Sequence, residues 1–294
     1  MPGPRRAGNA PPPPFAKRGT GAGWRWETEG DAMAENELIH EVKEGGILLT
    51  TLNRPQAMNA FTFAMYEGLA AKAAEIGEDR SIRAWIITGG GEKAFAAGTD
   101  IGQFTSFTTA QHALDYEERI GRVLSAIEDC PKPTIAAING ACTGGGAGVA
   151  GVCDIRIASA SMRFGVPIAR TLGNTLSLGN YARFSALLGP GRLLELIFTA
   201  RLVEAEEARF LGLVTEVLPD QAALLARAEA LARTIGGHAP LTLQAAKTTL
   251  KRLRENAVKG ANADDMVALT FTSADFKEGV AAFLEKRKPV WQGR

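Results

Sequence analysis

Apolar residues recur along this chain with two periods, and the order in which those periods alternate predicts its architecture. Leu38 to Lys43 and Ile47 to Leu52 are β-branched and apolar runs separated by Gly45-Gly46, the pattern of a β-hairpin. Phe63, Tyr66, Leu69 and Ala73 fall near helical spacing and predict a helix from about Thr62 to Glu75. Ala84-Trp85-Ile86-Ile87-Thr88 predicts a buried strand ended by Gly89-Gly90-Gly91. A mobile polar stretch follows Ile101, and a helix from about Ala110 to Ile127 leads to the apolar strand Thr134 to Ile138. Beyond Asp154 come a strand at Ile155 to Ala158, helices at Tyr181 to Leu188, Arg192 to Thr199 and Glu204 to Leu211, and a strand at Val214 to Leu218. From Asp220 the pattern is purely helical, at about 221–235, 240–256 and 261–286. Strands alternating with helices at this spacing predict an α/β fold with crossover connections. The terminal helices suit docking onto a neighbouring subunit, or a local lid.

Composition narrows the setting. Lysine and arginine number 33 against 32 acids, so no global field draws the chain to nucleic acid or to an anionic membrane. No apolar run is long enough to span a bilayer. Cys130, Cys142 and Cys153 lack metal or redox spacing and predict reduced thiols in a cytoplasmic protein. The scattered His40, His112 and His238 give no basis for a metal site. Residues 1–34 carry a four-proline run and five basic residues before the first acid, Glu27, a composition that predicts a disordered extension. That divides the chain into the extension at 1–34, an α/β core at 35–220 and a helical region at 221–294.

The candidate chemistry centres on Ile138-Asn139-Gly140-Ala141-Cys142-Thr143-Gly144-Gly145-Gly146, where a strand runs into three glycines and then into small residues. Glycine lets backbone amides approach a ligand closely. A helix starting there would aim unpaired N–H groups and the positive end of its dipole at an anion. Gly146-Ala147-Gly148-Val149-Ala150-Gly151 also matches a dinucleotide-binding pattern. That reading needs an acid about 20 residues later, and no Asp or Glu occurs from Ile155 to Leu194.

Five motifs in order resemble the crotonase, or enoyl-CoA hydratase/isomerase, superfamily. They are Leu52-Asn53-Arg54-Pro55 with Asn59-Ala60, Lys93 to Ile101, Ala137 to Gly146, Cys153 to Ala158, and Phe276 to Lys288. The resemblance runs from about Ile47 to the C-terminus. It implies a spiral of ββα units with a C-terminal helical trimerisation region, a homotrimer or dimer of trimers, and an acyl-CoA thioester substrate from fatty acid metabolism. Coenzyme A enters as part of the substrate, with no separate cofactor and no metal. The resemblance places the enolate-stabilising donors at the amides of Thr99 and Gly145. It places substrate contacts at Arg54, Ala57, Ala97, Asp100, Ile101, Gly144, Ile168 and Lys286, the last reaching the nucleotide end. Asp100 and Asp154 are structural in the family's pattern.

The family's hydratases move protons with two glutamates. The matching positions here are Gly148 and Ile168, with Ala169 and Arg170 as alternative matches for the second; none is an acid. General acid–base groups contribute roughly 10²–10⁴ each in rate, so an efficient ordinary hydratase is not expected. The proton-transfer group stays unassigned, with Thr143, Asn174, Ser177, Tyr181 and His112 as polar candidates. Arg170 could hold a substrate carboxylate, which would suit a decarboxylase or C–C lyase of a carboxylated acyl-CoA. A non-catalytic acyl-CoA-binding paralogue is the third reading.

Overall fold

The computed structural model describes residues 37–294; the extension expected at residues 1–34 lies outside the described residues. Strands β1 (Leu38–Lys43) and β2 (Ile47–Leu52) form the expected antiparallel hairpin. A helix, α1 (Phe63–Glu78), then crosses to β3 (Ala84–Gly89). Thr62 caps α1 by accepting from the Met65 N–H at 3.1 Å. The short β4 (Ala94–Ala96), α2 (Ala110–Asp129) and β5 (Thr134–Ile138) follow. Next come β6 (Ala141–Thr143), α3 (Gly145–Val152), β7 (Ile155–Ser159) and β8 (Arg163–Gly165). Helices α4 (Ile168–Thr171), α5 (Leu178–Leu188) and α6 (Pro190–Thr199) lead to β9 (Val203–Glu204), α7 (Ala205–Phe210) and β10 (Val217–Leu218). Four helices end the chain: α8 (Gln221–Gly236), α9 (Pro240–Ala257), α10 (Asp264–Phe271) and α11 (Ala274–Leu284).

Two sheets carry the fold. The larger runs in the order β1-β2-β3-β5-β7-β10, parallel after the first hairpin, and the smaller runs β4-β6-β8-β9. Strand β3 is buried at every position, as a parallel strand covered on both faces must be. The pleat divides its residues: Ala84 and Ile86 join Ile47, Leu49, Ile135, Ala137 and Ile157 against α8, through Leu224, Ala228 and Ala232. Trp85 and Ile87 point the other way, into the main core shared with α1, α2 and α3.

Three expectations are corrected. The stretch after Ile101 is a 3₁₀ helix, Ile101–Ser106, capped by Asp100. The last helical segment breaks at Thr272–Ser273, where the Ser273 side chain caps α11 by accepting from the Phe276 N–H at 2.9 Å. A serine hydroxyl that competes for backbone groups ends one helix and starts another, and apolar periodicity alone does not register it. The expected strand at Val214–Leu218 shrinks to Val217–Leu218, because Val214 and Thr215 turn in to bond the backbone of Ala208 and Arg156.

Candidate active site

Two glycine-bearing turns meet beneath the sheets. The chain from Ala97 to Asp100 leaves β4 with Gly98 at φ 112°, and the turn before α3 has Gly144 at φ 52°, both in a region that L side chains rarely adopt. A Cβ on Gly144 would sit 3.4 Å from the Gly98 Cα, and one on Gly146 would sit 2.1 Å from the Ala96 carbonyl oxygen. The missing Cβ of Gly146 is therefore what lets the start of α3 lie against the backbone of β4.

Buried asparagines hold the turns in place. Asn59, itself at φ 55°, donates to the Gly90 and Ala94 carbonyls at 2.9 and 2.7 Å and accepts from the Arg54 N–H at 2.9 Å. Asn139 donates to the Gly91 carbonyl at 2.6 Å and accepts from the Gly89 N–H at 3.2 Å. Both side chains thus fix the approach to β4, and through it the position of Thr99. Two of the motifs legible in the sequence are scaffolding for the loop between them.

The amides of Thr99 and Gly145 belong to these two turns. Gly145 is the first residue of α3, where an N–H has no intrahelical acceptor. Thr99 bridges to Phe61, but the bonds of that bridge use the Phe61 and Asp100 amides. Among the described residues, neither the Thr99 nor the Gly145 N–H donates a hydrogen bond. The Thr99 hydroxyl lies 2.9 Å from the Tyr66 Oη and 3.0 Å from the Tyr116 Oη. Burial pushes both phenols above their ordinary range, so both remain protonated at neutral pH. The Tyr66 hydroxyl is pressed against Gly145, where a Cβ would stand 2.0 Å from it.

Next to Tyr116 on α2 lies Glu117. Its Oε2 accepts from the Ser177 N–H at 3.2 Å. Among the described residues no lysine or arginine pairs with it. Burial pushes its carboxyl up to about 7, against the downward pull of the Ser177 hydrogen bonding. Further along the helix, Glu128 shows the contrast. Its burial would also raise it, but Arg254 and Arg183 outweigh that and hold it below the usual carboxylate range.

The residues singled out in the sequence are distributed around these turns. Arg54 donates to the Ala60 carbonyl and pairs with Asp100 at 3.1 Å and Glu37 at 3.0 Å. Ala57 ends the 3₁₀ turn Pro55–Ala57, beside a cavity of about 200 Å³ lined by Pro55, Met58, Asn59 and Gly90 to Ala94. A larger cavity of about 380 Å³ near Arg201 and Glu207 is lined by neither turn. Ala97 is exposed and Ile101 half-buried. The amide of Gly144 is used on the Gly165 carbonyl at 3.1 Å. Ile168 opens α4 at 7% exposure, within the main core. Gly148 is buried, and a Cβ there would meet Leu124 of α2 at 3.4 Å. Arg170 is exposed, as is Lys286, which sits at φ 55° after α11.

Among the polar candidates, Ser177 touches Glu117, Tyr181 bonds Thr175 at 3.1 Å, and the His112 ring accepts from the Thr108 N–H at 3.2 Å. Asp154, an exposed residue, accepts from the Thr134 N–H and hydroxyl and pairs with Lys247 at 2.7 Å, a structural role. The three cysteines are free and buried. Among the described residues no cluster suits a metal ion, and no helix is long and apolar enough to cross a membrane. Tyr66, Tyr116 and Glu117 were not legible as site residues. A signal for Glu117 does exist: it lies in the stripe of Ala113, Ile120, Leu124 and Ile127, the buried face of α2, where a carboxylate is out of place unless used.

Known proteins are similar to this chain in sequence and in fold. Residues 42–294 match the family model described as enoyl-CoA hydratase/isomerase. The chain is 37% identical over 258 residues to a short-chain-enoyl-CoA hydratase of Clostridium acetobutylicum, covering 87% of this chain and 97% of that protein. A crystal structure of an enoyl-CoA hydratase/carnithine racemase from Magnetospirillum magneticum has a TM-score of 0.69 at 37% identity, covering 88% and 98%. A methylmalonyl-CoA decarboxylase in complex with 2-nitronate-propionyl-CoA has a TM-score of 0.79 at 26% identity, covering 88% and 99%. With a match across most of its length, and with two glycine turns that hold a pair of unused amides, this chain belongs to the enoyl-CoA hydratase/isomerase family.

Proposed function

We propose that this enzyme binds an acyl-CoA thioester and stabilises the enolate of its acyl group through the amides of Thr99 and Gly145. The observation that carries this is the pair of N–H groups without acceptors on two turns packed against each other. A thioester carbonyl oxygen gains negative charge as its α-carbon loses a proton or a carboxylate. Donors already aimed at that oxygen favour the charged state over the ground state, and one such donor is typically worth about 10²–10³ in rate. The positive end of α3 adds to the same field. Held by short turns and buried asparagines, the amides need no rearrangement when the charge forms.

Ordinary hydration is not the favoured reaction. The positions where the resemblance expects two glutamates carry Gly148, against Leu124, and Ile168, in the core. Decarboxylation of a carboxylated acyl-CoA is the second reading, supported by the likeness to the methylmalonyl-CoA decarboxylase. It passes through the same enolate. Arg170, exposed on the last turn of α4, is the candidate clamp for the substrate carboxylate in that reading. The acyl-CoA reading also carries the expected assembly, a homotrimer or dimer of trimers.

A crystal structure with bound butanoyl-CoA tests the proposal. The thioester oxygen is expected within about 3.1 Å of both amides. A ligand that fails to bind, or that seats its carbonyl away from Thr99 and Gly145, overturns it.

A further inference from the structure

The enolate needs a group to take the proton from the α-carbon. We propose that Glu117, supplied by α2 rather than by α3 or the loop after β8, is that group. The inference rests on the acyl-CoA reading above.

The placement is the first argument. Tyr116 and Glu117 are consecutive on α2, and the Tyr116 hydroxyl reaches the Thr99 hydroxyl at 3.0 Å. Thr99 in turn reaches Tyr66, which is pressed against Gly145. A chain of contacts therefore joins Tyr116, Thr99 and Tyr66 to Gly145, and Glu117 stands on the same helix, about 100° further round α2. The second argument is the carboxylate's surroundings. Glu117 shares the apolar face of α2 with Ile120 and Leu124, and Leu124 fills the space beside Gly148. The residue as a whole is half-buried. A carboxylate kept only for structure is expected to be neutralised, as Glu128 is by Arg183 and Arg254 three turns further on. Glu117 has the Ser177 N–H and hydroxyl instead. Its carboxyl, pushed up to about 7 by burial, is balanced between giving and taking a proton at neutral pH.

One carboxylate also limits the chemistry. In the forward step Glu117 takes the α-proton, and the C–H electron pair moves into the enolate whose oxygen the two amides hold. In the return step the carboxyl gives the proton back, either to the α-carbon or, in a 3-enoyl thioester, to the γ-carbon. The second outcome moves the double bond, with no water consumed and no second acid required. A double-bond isomerisation, or protonation of an enolate formed by decarboxylation, is therefore the class of reaction this site suits.

The bland alternative is that Glu117 only anchors the start of α5 through Ser177. Glu117→Gln separates the two roles, because its amide oxygen still accepts from Ser177 while the side chain can no longer take a proton. The native enzyme is incubated with but-3-enoyl-CoA in deuterium oxide, and deuterium entry at the α- and γ-carbons is followed by mass spectrometry. Calorimetric titration with butanoyl-CoA measures binding independently. Exchange by the native enzyme, rising with pH and levelling off above about 7, is expected. Glu117→Gln should bind butanoyl-CoA within about threefold of native and lose roughly 10²–10⁴ of the exchange rate, with Glu117→Asp in between. Native-like exchange in a folded Glu117→Gln overturns the inference but leaves the acyl-CoA reading standing. Binding without exchange in the native enzyme also overturns it. Failure of the native enzyme to bind butanoyl-CoA at all removes the reading on which it rests.

Discussion

At the scale of single residues, the site depends on what Gly145 lacks. Its Cα lies so close to the Tyr66 hydroxyl that a methyl group would overlap that oxygen at 2.0 Å and approach the Thr99 hydroxyl at 3.1 Å. Tyr66 is fully buried and stacked on Phe61 with ring centroids 4.6 Å apart, so it has little room to retreat. Gly145→Ala should therefore destabilise the fold by about 1–3 kcal/mol, in the range of overpacked cores, and should misplace the Thr99 donor. Removing the phenol oxygen relieves the clash, because the next nearest Tyr66 atom is the ring Cζ at 3.3 Å. Tyr66→Phe combined with Gly145→Ala should recover much of the loss, a coupling that a double-mutant cycle of thermal or urea unfolding measures. Additive losses would mean that the contact is not what makes glycine necessary.

At the scale of elements, the sequence was a good guide to which segments exist and a poorer guide to which of them build the site. The hairpin and the buried β3 followed from short apolar and β-branched runs bounded by glycines. Signals of that kind are local. Asn59 and Asn139 stood out as motif members, but their role, holding the approach to β4, depends on backbone groups 31 to 50 residues away. Glu117 escaped for the same reason. Onward from the glycine turn the chain is acid-free between Ile155 and Leu194, whereas Glu117 comes from the preceding helix. The stretch is acid-free in sequence but not in space, since Arg183 meets Glu128 and Ser177 meets Glu117, both from α2. Helix α2 also accounts for Gly148. With Leu124 at 3.4 Å from a Cβ there, a carboxylate would be forced against a leucine. Gly148→Glu alone is expected to lower the melting temperature. Adding Leu124→Ala should restore part of it in spite of the cavity such a truncation normally opens, usually 2–5 kcal/mol. If Leu124→Ala only deepened the loss, the packing of α2 would not be what excludes an acid from that position.

At the scale of the whole molecule, several large apolar side chains stay uncovered among the described residues. Leu241, Leu250 and Leu253 of α9 are 77%, 68% and 64% exposed, and α9 has no buried residue at all. Leu269 of α10 and Phe283 and Leu284 of α11 are exposed nearby in sequence, and Phe198 of α6 and Phe210 of α7 are exposed as well. An 18-residue helix presenting several leucines to water, with none buried within its own subunit, is a poor arrangement for an isolated chain. The proposed trimer or dimer of trimers would cover such side chains. Light scattering after size-exclusion chromatography should give a mass near three or six times 31.1 kDa. Leu250→Glu with Leu253→Glu should shift the native enzyme toward the monomer, because two carboxylates buried in an apolar interface without partners cost far more than the contacts they replace. A native chain that elutes as a monomer at micromolar concentration would refute the assembly. A double variant that keeps the native mass would instead move the interface away from α9, toward Phe198 of α6 or Phe210 of α7.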